Sequence, residues 1–366
     1  MTTLLPPRKV LQCYFLTPDD VQVSILGQGN INDTFLVASA KKSMVLQRIN
    51  QRVFPEPQLL INNPQHLSQH LLSRAETAEQ RWEDAVLVPT LDGALSVLDK
   101  NNDLWRALSH IGNSISVSRV TTPFQAEQTG WALGHFHKRL TGLDTENLQP
   151  PLPGFHHLSS YLNDYDQLHP PVPNHNSAKI RFCMQTIEKE RSGALSLEKA
   201  LNRGEIRQTT IHGDPKIANV LFDQQSGRAV SIIDLDTVGP GLLQHDIGDC
   251  LRSVCNTAGE ESDPTEVCFD LGICQSTLKG YFQEASELLT PIDRESIFNG
   301  VKAITFELGL RFFSDYLQGG IYFKCSTPEE TLEKALIQFS LLQDITAKET
   351  SIRELVLLMD HDPDSS

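Results

Sequence analysis

The sequence contains no apolar run long enough to cross a membrane. A membrane-spanning helix needs about 18 to 20 consecutive apolar residues, and the stretch AITFELGLRFF is interrupted by Glu307 and Arg311. The first residues, MTTLLPPRKVLQCYFL, place two prolines where a signal peptide has an unbroken apolar segment. These features predict a cytoplasmic protein.

Positive charge is also scarce. The chain has 31 Lys and Arg against 46 Asp and Glu, which gives a formal net charge of -15. Such a protein repels nucleic-acid backbones and anionic lipids, so neither is a predicted partner. A bound nucleotide is still allowed, because a local pocket with magnesium overrides the global field. The acidic balance also suits a cationic small substrate.

Cysteine patterns typical of metal sites are missing. None of the seven cysteines lies in a CxxC pair, and no nearby histidines have zinc-like spacing. The cysteines are therefore interpreted as core or incidental thiols.

The length and the patterning predict two lobes. At 366 residues the chain is too long for one small domain. In the first part, residues 1–111, VQVSILGQGNINDTFLVASAKKSMVLQRIN predicts hairpin-connected strands. A helix is predicted in the later part of PQLLINNPQHLSQHLLSRAE, despite Pro64, and short strands follow in DAVLVPTLDGALSVLDKNNDLWRALSHI.

Helices dominate the second part, residues 112–366. Ala126, Leu133, Phe136 and Leu140 have spacing close to that of a buried helical stripe. The segment QPPLPGFHHLSSYLNDYDQLHPPVPNHN is rich in proline, which predicts a long surface connection or an inserted loop. Amphipathic helices are predicted beyond residue 255.

The run TTIHGDPKIANVLFD, residues 209–223, has the residue types of a phosphoryl-transfer loop. Asp214 can accept the proton of a substrate hydroxyl, and Lys216 can neutralise charge on the transferring phosphoryl group. Asn219 offers a carbonyl oxygen to Mg²⁺, which prefers oxygen ligands. His212 is interpreted as a packing histidine that hydrogen-bonds the loop backbone.

The stretch AVSIIDLDTVGPG supplies a second metal ligand. Gly227 is predicted to form the turn of a hairpin that brings Asn219 and Asp234 to the same end of a small sheet. Asp234 is then the main Mg²⁺ ligand, and Asp236 lies farther along the chain. An isolated acid at a strand end is more often a cap or a turn former, but loop, hairpin and acid in this order favour a catalytic site.

A glycine-containing hairpin in LGQGNINDTF is a candidate phosphate-binding element. Gly27 and Gly29 could lay backbone N–H groups over phosphates. Taken alone, two glycines between strands more often form an ordinary turn.

IHGDPKIANVLFD followed by IIDLDTVGPGLLQHDIGD resembles the catalytic segment of the aminoglycoside phosphotransferase/choline kinase-like superfamily. The resemblance extends to the N-acetylhexosamine 1-kinase branch through GQGNINDTFLV, VLQRINQRVFPEP, HDIGDCLR and ELGLRFFSDYLQGGIYF. It implies an α+β, bilobal protein-kinase-like fold with a small β-rich N-lobe and a larger, mostly helical C-lobe. It also implies transfer of the ATP γ-phosphate to the anomeric hydroxyl of an N-acetylhexosamine.

Carried onto this sequence, the resemblance makes Asp214 the base and Asn219 and Asp234 the metal ligands. Arg311 and Tyr322 resemble sugar-contacting positions. From the residues alone, Arg311 either pairs with Asp315 four residues on or points into the cleft.

In HDIGDCLR, Asp246 and Asp249 are interpreted as structural residues. They are expected to brace loops through backbone hydrogen bonds, or to pair with Arg252.

The nucleotide-binding strand departs from the protein-kinase pattern. MVLQRIN carries Gln47 and Arg48 where a lysine is expected, and the next helix has no glutamate to pair with it. Strand alternation allows only one of the two residues to face the nucleotide. With His110 at the end of the first lobe, they complete the predicted nucleotide-binding residues.

Two alternatives remain open. The acceptor could be another small hydroxyl compound, such as an aminoglycoside, choline or homoserine. The chain could also be a non-catalytic nucleotide-binding protein on a kinase-like fold, although such a protein needs none of Asp214, Asn219 and Asp234.

Overall fold

The N-lobe is built around a five-stranded antiparallel sheet. The computed structural model describes residues 5–26, 31–73, 80–168 and 177–359. The sheet has the order β1-β2-β3-β5-β4. Its strands are β1 Gln22–Ile25, β2 Asp33–Ala38, β3 Ser43–Arg48, β4 Val97–Leu98 and β5 Leu104–Ser109. One face buries Phe35, Leu46 and Trp105 against the short helix α1, Arg8–Tyr14.

Helix α2 extends from Leu59 to Ser73 and contains Pro64 in its first half. The prediction of a helix in the later part of this segment is therefore correct, but the helix begins earlier than expected. Proline is tolerated there because Leu60 and Pro64 are buried and pack the helix onto the lobe. The missing N–H of Pro64 leaves the Leu60 carbonyl without its helical donor.

The C-lobe is mostly helical. Its helices are α3 Pro123–Leu140, α4 Leu158–Gln167, α5 Ala178–Ala194, α6 Ser196–Asn202, α7 Leu243–Cys255, α8 Leu271–Ala285, α9 Pro291–Glu295, α10 Ile297–Leu317, α11 Pro328–Ala347 and α12 Glu349–Met359. Helices α3 and α8 pack closely because Gly130 and Gly280 leave room for the opposite backbone. A Cβ at Gly130 would lie 1.9 Å from the Thr277 oxygen, and one at Gly280 1.9 Å from the Glu127 oxygen.

The predicted stripe of α3 is confirmed, since Ala126, Leu133, Phe136 and Leu140 are all buried. The proline-rich segment after it is more ordered than the sequence suggested. Its middle forms α4, which buries Leu158, Leu162 and Tyr165 against α10 and its neighbours. The expectation of a surface connection throughout this segment was wrong, because the apolar side chains of α4 recur with helical spacing.

Two small sheets carry the loops of interest in the C-lobe. Their strands are β6 Ser114–Ile115, β7 Thr209–Ile211, β8 Val220–Asp223, β9 Ala229–Ile232 and β10 Gly239–Gly241. Strand β8 lies between β6 and β9, and β7 pairs with β10. The β8–β9 hairpin confirms the predicted turn, where Gly227 adopts a φ of 68° that favours glycine. The predicted lobe division after residue 111 falls between β5 and β6.

None of the helices in the described ranges is both long and apolar enough to span a bilayer. All seven cysteines lie in these ranges and are free, and four of them are buried. This agrees with their interpretation as core or incidental thiols.

Candidate active site

Asp246 of α7 fixes the backbone of the loop after β7 through hydrogen bonds. Its carboxylate accepts hydrogen bonds from the backbone N–H groups of His212, at 2.6 Å, and Gly213, at 2.8 Å. A third bond joins it to Nε2 of the buried His137 at 2.8 Å. Asp246 is therefore a structural residue, as predicted, and it fixes the backbone that precedes Asp214.

His212 also has the predicted packing role. It is fully buried, and its Nε2 hydrogen-bonds the Ile233 carbonyl at 2.9 Å. Its Nδ1 accepts the backbone N–H of Asp214 at 3.2 Å. The imidazole thus joins the two loops that carry the candidate chemistry. Asp249 pairs with Arg252 at 2.8 Å, again as expected.

The carboxylate of Asp214 lies between a cation and an amide. Lys216 Nζ is 2.6 Å from Asp214 Oδ2, and Asn219 Nδ2 is 3.3 Å from the same oxygen. Asn219 Nδ2 also donates to the Asp214 carbonyl at 2.7 Å. Burial acts to raise the pKa of Asp214, but the adjacent ammonium outweighs it and lowers that pKa. The group is therefore ionised at neutral pH, as a proton acceptor must be.

Asp234 lies beside this carboxylate on the loop after β9. The Ile233 N–H donates to the Asn219 carbonyl at 2.8 Å, so the two loops are directly joined. Asp234 adopts a left-handed φ of 67°, which is uncommon for a residue other than glycine. Such strained positions often occur at functional sites.

The surroundings of Asp234 fit a divalent cation. Within the described ranges its carboxylate makes no hydrogen bond, although it opens onto the cleft. The side chain is exposed, but the surrounding walls of the cleft, followed by the Asp236 carboxylate, raise its pKa to about 7. No cluster of three His, Cys, Asp or Glu side chains forms a metal cage in the part of the chain that the structure describes. Asp234 and Asn219 alone suit Mg²⁺, which is commonly held by few protein oxygens together with substrate phosphates.

Gln47, rather than Arg48, faces the cleft. Gln47 lines an interlobe cavity of about 90 Å³. The other lining residues of this cavity are Ile31, Asn32, Thr34, Phe54, Asp214, Lys216, Asp234, Asp236 and Thr237. Arg48 points to the opposite face of β3, where its Nε donates to Asp33 at 2.9 Å and its Nη1 lies 3.3 Å from Asp103. Of the two predicted nucleotide-binding residues of β3, Arg48 therefore does not line this cavity.

The cation that lies beside Gln47 was not predicted from the sequence. Arg106 of β5 is 1% exposed and forms an ion pair with Asp236 of the C-lobe. It also donates to Gln47 Oε1, at 2.8 and 3.0 Å, and to the Leu60 carbonyl at 2.6 Å. The last oxygen is the one that Pro64 leaves without a helical donor. The only signal in the sequence was a single arginine inside the apolar strand LWRALS.

The remaining nucleotide-binding candidates are Gly27, Gly29 and His110. Gly27 and Gly29 fall outside the described residues. His110 follows β5 and its Nδ1 hydrogen-bonds Ser43 Oγ at 3.0 Å. It does not line the interlobe cavity.

Arg311 and Tyr322 lie together at the end of α10. Arg311 Nη2 is 3.4 Å from the Tyr322 hydroxyl. Its guanidinium carbon lies 5.2 to 5.7 Å from the centroids of four aromatic rings, those of Phe155, Tyr161, Tyr322 and Phe323. We call this group the arginine cage.

The pairing of Arg311 with Asp315 is not observed. Asp315 instead accepts the backbone N–H groups of residues 321, 322 and 323 at 2.8 to 3.2 Å. The turn after α10 needs these bonds, because it reverses the chain toward α11. Arg311 pairs with Glu307 on the preceding helical turn, at 3.7 Å.

The arginine cage is linked to the Asp214 loop through His156. His156 Nε2 donates to the Gly213 carbonyl at 2.8 Å, and its Nδ1 lies 3.1 Å from Glu307 Oε1. Both ring nitrogens face acceptors, an arrangement that favours the imidazolium form. Burial acts against this form, but Glu307 prevails and raises the pKa of His156. Neither His156 nor Glu307 was predicted, since nothing local in the sequence joins residues 156, 213 and 307.

The turn after α10 also reaches the N-lobe. Lys324 Nζ lies 3.2 Å from Asp33 Oδ1. Tyr322 lies in the same turn, two residues before Lys324, and is 36% exposed. The turn that carries Tyr322 therefore contacts the N-lobe, while no member of the arginine cage lines the interlobe cavity of about 90 Å³.

The sequence profile of the phosphotransferase enzyme family matches residues 22–267, more than half of the chain. Among solved structures, the chain is similar to an aminoglycoside phosphotransferase from Alicyclobacillus acidocaldarius, at 15% identity and a TM-score of 0.64, over 99% of this chain and 98% of that one. An ethanolamine kinase from Plasmodium vivax is 14% identical with a TM-score of 0.57, over 91% and 83%. A choline kinase from Cryptosporidium parvum is 12% identical with a TM-score of 0.56, over 91% and 92%. These likenesses confirm the predicted bilobal, kinase-like fold.

Proposed function

The chain belongs to the phosphotransferase enzyme family, and from this premise we propose that it is a kinase that transfers the γ-phosphate of ATP to a hydroxyl group of a small molecule. One observation carries the proposal. The ionised carboxylate of Asp214 is held by Lys216 and Asn219 directly beside Asp234, at the floor of the interlobe cavity. A proton acceptor, a cation and one oxygen ligand, Asp234, thus share one wall, and Asn219 lies behind Asp214.

Each residue has a distinct role in this proposal. Asp214 accepts the proton of the acceptor hydroxyl and orients its oxygen for in-line attack. Lys216 stabilises the charge that develops on the transferring group. Asn219 and Asp234 would hold Mg²⁺, which neutralises the ATP phosphates. Arg106 holds the amide of Gln47 and the carboxylate of Asp236 in place around the cavity.

We propose an N-acetylhexosamine as the acceptor, phosphorylated on its anomeric hydroxyl. The arginine cage offers a guanidinium, a phenol hydroxyl and aromatic faces. Hydrogen-bond donors next to aromatic rings suit a neutral sugar, whose hydroxyls accept bonds and whose ring has an apolar side. The positive guanidinium opposes a cationic acceptor.

The competing acceptor is a cationic amino alcohol or aminoglycoside. It is favoured by the net charge of -15, and similar structures include choline and ethanolamine kinases. Recognition of a cation usually needs carboxylates or an open aromatic cage. In the arginine cage, the aromatic rings already surround a cation of the protein itself, and the nearest carboxylate, Glu307, is engaged by Arg311 and His156.

The test is an ATP-consumption assay with N-acetylglucosamine, N-acetylgalactosamine, glucose, choline, ethanolamine and kanamycin. Loss of the reducing end identifies anomeric phosphorylation. Arg311→Ala is expected to lower kcat/KM for the sugar about thirtyfold, which corresponds to about 2 kcal/mol, with little change in the KM for ATP. Arg353→Ala is the matched control, because Arg353 stacks on Phe298 away from the cleft. Turnover of choline or kanamycin without turnover of any sugar would overturn the sugar assignment.

A further inference from the structure

A second cavity, of about 240 Å³, lies on the far side of the Asp214 loop. Its walls are formed by residues 150–159, helix α6, the β7–β10 ribbon and the start of α7. Gly213 and Thr237 lie in its wall, and Thr237 also lines the interlobe cavity. The two cavities therefore share a thin partition. Asp214 does not line the second cavity, so its carboxylate does not reach an occupant there.

The wall of this second cavity includes His245, which is 8% exposed. Its Nδ1 has almost no accessible surface and, among the residues that the structure describes, no hydrogen-bond partner, so an occupant of the cavity meets the ring at its other atoms. Burial, and then the nearby His156 imidazolium, lower the pKa of His245 to about 3. The ring is therefore neutral, and it offers one N–H donor and one acceptor.

The rest of the lining suits a neutral ligand. Asn202 and Gln208 present amide groups at the exposed end of the cavity, while Phe155 and Leu242 contribute apolar surface. The one carboxylate in the lining, Glu198, accepts the Ser159 N–H at 2.9 Å. A ligand there meets hydrogen-bonding groups and apolar walls, without an unpaired charge to neutralise.

The volume sets the size of the ligand. One water molecule needs only about 10 to 15 Å³ of such space, so 240 Å³ admits an occupant much larger than a few waters. A single sugar ring displaces a comparable volume. A drug-sized ligand needs a larger pocket, of about 300 Å³ or more.

We propose that this cavity binds a neutral, hydroxyl-bearing molecule of monosaccharide size, at a site separate from the one where the acceptor reacts. The occupant hydrogen-bonds His245 and lies against Phe155, whose other neighbour is the Arg311 guanidinium. It also contacts Gly213, whose carbonyl is held by His156. The site is therefore joined to both the base and the arginine cage. Ligand binding at this second site does not require that the acceptor of the phosphoryl group be a sugar.

The test is calorimetric titration of N-acetylglucosamine into the full-length protein without ATP. His245→Phe removes the ring nitrogens and keeps an aromatic ring, and Asn202→Trp obstructs the exposed end. Each is expected to abolish one binding event or to weaken it at least about tenfold. Lys199→Trp, on the same helix but outside the lining, is the matched control and should bind as the wild type does.

The two sites are separated by Arg311→Ala, which should leave the binding event in the second cavity in place. Binding that is lost in His245→Phe and kept in Arg311→Ala, without sugar turnover, would support the second cavity while refuting the sugar acceptor. Unchanged binding in both His245→Phe and Asn202→Trp would overturn the second site. So would the absence of any binding to the wild type, or a complete loss in Arg311→Ala. Because Asn202 is exposed, its variant remains informative even if His245→Phe fails to fold.

Discussion

Arg106 and Asp236 form a buried ion pair that joins the two lobes. Their side chains are 2% and 6% exposed, and they are 130 residues apart in the chain. Asp236 accepts a further bond from Asn32 Nδ2 at 2.8 Å. The pair lies next to Asp234, so it connects the N-lobe sheet to the loop of the candidate metal ligand. Strand β3 and helix α2 themselves carry no lysine–glutamate pair.

Removing either member of this pair is expected to destabilise the protein strongly. Arg106→Gln and Asp236→Asn each leave a buried charge without its partner, which costs about 3 to 5 kcal/mol. Denaturant unfolding should show that the double variant loses less than the sum of the single losses. Arg48→Gln is the control, since its half-buried pair with Asp33 should contribute about 1 kcal/mol or less. If the losses of unfolding free energy in the two single variants simply added up in the double variant, Arg106 and Asp236 would not stabilise each other.

Asp214→Asn is expected to lower kcat by at least about a hundredfold while leaving the fold and ATP binding nearly intact. The amide still accepts a bond from Lys216, but it cannot take the hydroxyl proton. Rapid-quench measurements of phosphoryl transfer, with nucleotide binding measured separately, test this. A variant that kept most of its kcat would make Asp214 a structural acid.

Asp234 and Asp236 should fail in different ways. Asp234→Ala is expected to lose activity and the stabilisation by Mg²⁺–ATP with little change in melting temperature, because its carboxylate makes no hydrogen bond to any residue that the structure describes. Asp236→Ala should lower the melting temperature, because Arg106 is left unpaired. Thermal melts with and without Mg²⁺–ATP separate the two effects. Full activity in excess chelator, or equal melting temperatures for the two variants, would contradict these assignments.

The His156–Glu307 pair predicts a pH-dependent contribution to stability. The folded-state pKa of His156 is raised, so its contribution is complete below the unfolded value of about 6.5 and is lost as the pH rises through the folded value. The pKa of Glu307 is lowered, so its contribution is lost at the acid end, as the pH falls below about 4.3. Between about pH 4.3 and pH 6.5 the His156–Glu307 pair contributes its full stabilisation.

His156→Gln tests this contribution. The stability difference between wild type and variant should be largest near pH 5 to 6 and should shrink as the pH rises above about 6.5. His245, His212 and Arg311 also face this region, but they are present in both proteins and largely cancel in the difference. Glutamine can hydrogen-bond Gly213 or Glu307 but not both, so one of these two contacts is lost. We therefore expect the fold decrease in kcat to be larger than the fold increase in the KM for ATP. A pH-independent difference would show that His156 only fills space.

Sequence alone was sufficient where the contacts are short along the chain. Asp214, Lys216 and Asn219 lie within six residues, and one hairpin brings Asn219 to Asp234. Chain connectivity restricts such groups to a few arrangements, and residue type then indicates the chemistry. The two lobes followed from a change in hydrophobic periodicity, from that of strands to that of helices.

Only the tertiary structure decided which side chains complete the site. Strand alternation left Gln47 and Arg48 equivalent until the packing of the sheet against α1 and α2 gave each face its neighbours. Arg106 meets Asp236, and His156 meets Gly213, across more than fifty residues of sequence. No local propensity encodes those pairs. They form because folding removes their charges and dipoles from water together, and each group must then find its partner in whatever element packs beside it.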